Sequence, residues 1–159
     1  MKIVFFLGFL FISLFAKEVN LPNELNAWKS LSYVGAAKNV GELSTALIQL
    51  NNASFVGLVN TPKMKYEKTP KNEGGTVSYG GMFQVEIKES GLYRIALGNA
   101  SWIDFLKDNQ FVKSVAHKGG PKDSGIKKMV DYVLEAGIYT LQLSAAGDST
   151  TALLITKIK

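Results

Sequence analysis

The stretch GMFQVEIKESGLYRIALG, residues 81–98, decides the fold class. On either side of Glu89-Ser90-Gly91 the apolar residues fall at every second position: Phe83, Val85 and Ile87, then Tyr93, Ile95 and Leu97. A period of two sends one face of each strand into a core and the other face outward. The same rhythm continues along the chain. Candidate strands are Thr45–Leu50, Ser54–Val59, Gly81–Lys88, Leu92–Gly98, Trp102–Lys107, Gln110–Val115, Lys128–Leu134, Ile138–Ser144 and Thr151–Thr156. Tyr139, Leu141, Leu143, Leu153 and Ile155 extend the expected core. Glu89-Ser90-Gly91, Asp108-Asn109, Glu135-Ala136-Gly137 and Ala146-Gly147-Asp148 carry turn chemistry between the runs, each a hairpin or tight corner. Eight or nine short strands with almost no helical periodicity predict an all-β domain, an antiparallel β-sandwich of the jelly-roll kind.

Working outward, the sandwich occupies residues 45–159, and residues 17–44 form an N-terminal segment packing on it. That segment holds a helical turn near Leu21–Leu25 and a first strand between Trp28 and Val34. Residues 1–16 read as a secretory signal peptide: Lys2, an apolar run from Ile3 to Leu14, then Ala16 before Lys17-Glu18. The run is shorter than the roughly 20 residues of a membrane span. Cleavage after Ala16 predicts a periplasmic or secreted product with no membrane span. Leu14, where a small residue is usual, leaves a retained anchor as the other outcome.

The chain has no cysteine, which excludes a lipidated cysteine, a disulfide framework and thiolate chemistry. Its formal charge is +5, from 18 basic residues against 13 acidic ones. The single arginine is Arg94; the lysines are dispersed. Basic character of this kind serves solubility or attraction to an anionic envelope surface, and with export it argues against nucleic acid.

Two stretches break the strand rhythm. Residues 60–80 hold Pro62, Pro70, Gly74, Gly75 and several lysines and read as a long mobile loop; His117 to Gly125, HKGGPKDSG, is a second loop. A three-residue connection, Asn99-Ala100-Ser101, would pair Leu97 with Ile103 and Ile95 with Phe105. Trp102, Asp104 and Leu106 then share a face with Arg94 and Ala96. The two-residue turn Asp108-Asn109 adds Phe111 opposite Leu106 and Lys113 opposite Asp104. That face is either covered by another layer, with Asp104 in a cross-strand ion pair, or is an exposed aromatic platform suited to a sugar ring or a partner.

His117 is the only histidine. Beside Asp123 and Asp104 it is a candidate acid/base or a ligand, with Asp123, of a weakly bound divalent metal; the plainer reading is a solvated loop residue. No Gly-x-Ser-x-Gly elbow or phosphate loop is present.

The segments FQVEI from Phe83, GLYRIAL from Gly91, ASWID from Ala100, SVAH from Ser114, GIKKMV from Gly125 and GIYTLQLS from Gly137 resemble a family of small exported bacterial proteins of unknown function, some labelled homogentisate 1,2-dioxygenase. Members of that family often carry a cysteine at the position of Asp123. The label implies a non-haem iron held by two histidines and a carboxylate. One histidine per chain does not supply that set.

The expected function is therefore a non-enzymatic ligand- or partner-binding β-sandwich, its ligand an envelope glycan or protein. Its candidate site residues are Trp102, Asp104, Arg94, His117, Lys127 and Lys128. The alternatives are a metal- or histidine-dependent enzyme built on the His117 loop, and a structural envelope factor.

Overall fold

The computed structural model describes residues 19–29 and 31–159. The signal peptide expected at residues 1–16 lies outside them. The described chain forms twelve strands: β1 Leu31–Gly35, β2 Leu47–Ile48, β3 Ala53–Gly57, β4 Val59–Asn60, β5 Tyr79–Ile87, β6 Gly91–Leu97, β7 Trp102–Lys107, β8 Gln110–Val112, β9 Ala116–Lys118, β10 Lys128–Leu134, β11 Gly137–Ala146 and β12 Thr150–Lys157. They build a β-sandwich of two sheets. One runs β1-β3-β12-β6-β10-β9; the other runs β2-β5-β11-β7-β8, with β4 on β5. The sheets are mixed rather than purely antiparallel, because β1 runs parallel to β3 and β2 parallel to β5. The strand number exceeds nine because β4 and the three-residue β9 add to the expected set, as does β1, which answers to the first strand expected between Trp28 and Val34.

All eleven expected core residues lie between the sheets. Phe83, Val85, Ile87, Tyr93, Ile95, Leu97, Tyr139, Leu141, Leu143, Leu153 and Ile155 are buried in one apolar cluster. Phe105 joins them, its ring 5.3 Å from Tyr132 and 5.7 Å from Tyr139, in tilted contacts that suit ring quadrupoles.

The expected pairing of Leu97 with Ile103 and Ile95 with Phe105 is overturned. β6 bonds to β12 and β10, whereas β7 bonds to β11 and β8 in the opposite sheet. Asn99–Ser101 is thus an arch between sheets, as are residues 88–90, 135–136 and 147–149. Both geometries put the same side chains inward, so alternation alone does not separate them. Of the four tight turns expected from the sequence, Asp108-Asn109 alone closes a hairpin, with φ of 50° and 57°, the left-handed pair that a two-residue turn demands. Phe111 stands opposite Leu106 there as expected, but the ladder ends at Phe105–Val112, short of Lys113.

The outer face of each sheet has its own cover. Over the first, the 3-10 helix Asn23–Lys29 and the residues just before it pack Leu25, Trp28 and Leu21 onto Ala53, Ala96, Met129 and Leu154. Ion pairing fixes it: Arg94 donates through Nε and Nη2 to both carboxylate oxygens of Asp131, directly opposite on β10, at 2.8 and 2.7 Å, and through Nη1 to Glu24 at 3.3 Å. Beyond this cover Tyr33 and Phe55 stand side by side, exposed, on β1 and β3.

Over the second sheet lies the stretch expected to be a long mobile loop. It is a strap, pinned by outward polar side chains of β11 and β7. Gln142 accepts from the Lys68 N–H at 3.3 Å and donates to the Lys68 carbonyl at 2.9 Å. The Lys71 N–H donates to Asp104 at 3.1 Å, and the Ser144 hydroxyl to the Asn72 carbonyl at 2.6 Å. Tyr66 crosses Gly80 to donate to the Leu143 carbonyl at 3.1 Å; a Cβ at Gly80 would collide with that ring and lie 2.7 Å from the same carbonyl oxygen. Burial raises the Tyr66 phenol to about 12, so it remains a donor at neutral pH.

Candidate functional site

At one lateral opening of the sandwich, where β7 in one sheet faces β9 and β10 in the other, the interior is left unfilled. A cavity of about 270 Å³ is lined by Trp102, Ser114, His117, Lys128, Tyr132 and the apolar Ile103 and Val130. This is just under the usual range for small-molecule sites, about 300–1,000 Å³.

Strand phase delivers the wall residues contributed by β9 and β10, and Ile103 of β7. On β10 the period of two points Lys128, Val130 and Tyr132 inward together. β9 pairs His117 with Val130, which turns the imidazole to the same side. Ile103 and Val130 form the apolar lining. Trp102 opens β7, and its position is set by the arch before it: Asn99 Oδ1 accepts from the Ser101 N–H at 3.1 Å and the Ser101 hydroxyl at 2.6 Å. Trp102 is 37 % exposed, whereas Trp28 is half-buried and donates to the Ser124 carbonyl at 3.0 Å.

Lys128 reaches across from β10 to β7. Its Nζ donates to the Ser101 carbonyl at 2.8 Å and lies 5.5 Å from the Trp102 ring centroid, a cation–π contact. Burial pushes its ammonium below lysine's usual value. Tyr132 donates to the Ile103 carbonyl at 3.3 Å, and burial followed by the charge of Asp104 raises its phenol well above the usual range. It therefore offers a fixed neutral wall.

Of the residues expected to act together, the fold gathers Trp102, His117 and Lys128 and disperses the others. Arg94 is on the outer face of the first sheet, committed to Asp131 and Glu24. Asp104 is on the outer face of the second, 4 % exposed beneath the strap; its partner is the Lys71 backbone rather than a cross-strand cation. Neither belongs to the cavity, because β6 and β7 lie in different sheets and turn their outward residues to opposite sides of the sandwich. Lys127 is exposed, its N–H bonded to the Leu97 carbonyl. Asp123 sits exposed in the 119–125 turn at φ 62°, and Trp28 holds the neighbouring Ser124 against the N-terminal cover. Among the described residues no three His, Asp or Glu side chains group as a metal site would require.

Ser114, Val130 and Tyr132 were not singled out as site residues. Alternation through Lys128–Leu134 carried the signal, since it places Lys128 in phase with Val130 and Tyr132 on the core side. A wider groove, about 670 Å³, lies elsewhere along β2, β5 and β12, lined by Leu47, Gln84, Glu86, Glu89 and Lys157 among others. It has no exposed aromatic, and its Lys157 is tied to Glu89 at 2.9 Å. The smaller cavity has the ring, a cation with no carboxylate partner among the described residues, and the apolar lining that ligand recognition uses.

No protein family model matches the chain, and neither does any curated protein. Among the described residues no helix is long and apolar enough to cross a membrane.

Proposed function

We propose that this protein is a non-enzymatic, exported ligand-binding β-sandwich whose site is the cavity between Trp102, His117 and Lys128, and that its ligand is a sugar unit of an envelope glycan. The observation that carries the reading is the half-open indole of Trp102 at the rim of an apolar-lined cavity with two nitrogen-bearing side chains in its wall. A sugar ring offers the complement: an apolar face to lie on an aromatic ring and hydroxyls to meet polar groups at its edge. Export rests on the N-terminal signal pattern.

Tryptophan fluorescence tests it directly. Titrating a panel of envelope glycans and their component sugars is expected to shift the emission of the intact protein, and Trp102→Ala is expected to abolish the shift. Trp28, held against Ser124, stays silent in both. A panel without any response contradicts the reading.

A further inference from the structure

We propose that the cavity selects for negative charge, taking an acidic sugar unit with a ring carboxylate in preference to its neutral counterpart. This rests on the ligand-binding reading above and adds the class of ligand.

The cavity wall carries a lysine and a histidine and no carboxylate. The acids nearest in sequence on its own strands are turned away and already used. Asp131 faces outward to Arg94, and Asp104 outward to the strap. Lys128 is therefore an ammonium on the inward face of a strand without an anionic partner among the described residues. Of its three N–H donors, the Ser101 carbonyl takes one at 2.8 Å. The same Nζ lies 5.5 Å from the Trp102 ring centroid, in the wall of the cavity.

An inward lysine is an unfavourable choice where a leucine would pack, unless something else uses the charge. The depressed basicity of Lys128 reports the same cost, which an anion at the site would offset. The side chains of His117 and Ser114 line the same cavity, are not engaged by another side chain among the described residues, and are placed to meet the remaining ligand oxygens. The chain's excess of basic residues adds a field that draws anions in. The apolar remainder of the wall sets the other requirement: the charge must sit on a body with an apolar face, which a free phosphate lacks and a uronic acid ring has.

The experiment titrates the intact protein with methyl glucuronide and methyl glucoside, followed by Trp102 emission at low and high salt. The glucuronide is expected to bind about tenfold or more tighter, the order of one charge-assisted hydrogen bond. High salt should shrink that preference, and Lys128→Met should erase it, with circular dichroism showing the variant folded. His117→Gln, at an exposed position, is expected to reduce the preference partially and guards against misfolding of the lysine variant. Equal affinity for the two sugars, or a preference that survives Lys128→Met, overturns the charge selection and leaves the sugar-binding reading standing. Silence toward both sugars overturns the two together.

Discussion

Replacing Arg94 with methionine is expected to cost about 3–5 kcal/mol of folding stability, read from the midpoint of urea unfolding. Arg94 and Asp131 are directly opposite on β6 and β10, each side chain only 10 % exposed, and they share two parallel N–H···O bonds. Methionine fills the volume of the arginine stem but leaves the Asp131 carboxylate buried with no cation. That orphaned charge, rather than the lost attraction, is the main cost. The double variant Arg94→Met/Asp131→Leu is therefore expected to recover most of the loss. Single-site destabilisation should also loosen the N-terminal cover, because Glu24 on the 3-10 helix is held by the same guanidinium. Protease cleavage within residues 19–29 is expected to accelerate in Arg94→Met. If the single and double variants were equally destabilised, the pair would not be the latch described.

The second large effect is expected inside the core. Phe105→Ala should destabilise by about 3–5 kcal/mol, the range for truncating a buried phenylalanine. Phe105 is fully buried and touches Tyr132 and Tyr139, whose rings arise from different sheets, so the void would lie where the two layers meet. Collapse is resisted there because both tyrosines are tethered, Tyr132 to the Ile103 carbonyl and Tyr139 to Glu135. Phe111, half-buried on the short edge strand β8 beneath Lys68 and Lys71, provides the contrast. Its truncation is expected to cost about 1 kcal/mol, since partly exposed area gives little and the cations are solvent-accessible. Thermal unfolding of the two variants checks the ordering. A loss at Phe105 no larger than that at Phe111 contradicts the core as described.

These two residues also show where sequence was informative. Phe105, like Phe83 or Leu141, sits on the inward phase of an alternating run, and alternation is a property of single strands. It survives whichever strands become neighbours. Arg94 failed for the complementary reason. Its grouping with Trp102 and Asp104 required β6 and β7 to form a hairpin, and the short connection Asn99–Ser101 is compatible with a hairpin or an arch. Hydrogen bonding to β10 and β12, more than thirty residues away, decides the matter, and nothing local encodes it.

The strap is not legible in the sequence because Gln142, Ser144 and Asp104 are polar and outward, which in a strand ordinarily means solvent. Here they are buried as hydrogen-bond anchors for a segment rich in proline and glycine. β9 carries no sequence signal because Ala116-His117-Lys118 has little strand propensity of its own and takes strand form by adding to the edge of β10. That addition is what brings the sole histidine to the cavity. Trp102, His117 and Lys128 were each legible as unusual residues; their meeting point required the pairing of β9 with β10 and the arch that carries Trp102 to the facing sheet.

Ligand is expected to occupy the cavity between β7, β9 and β10. Amide and indole NMR shifts, recorded while methyl glucuronide is added to the intact protein, test it most directly. The largest changes are expected at the Trp102 indole N–H and at the backbone of Ser114, His117, Lys128 and Val130. Changes centred on Gln84, Glu86 and Lys157 in the wider groove, or on the exposed pair Tyr33 and Phe55, would contradict it, as would a spectrum that does not move.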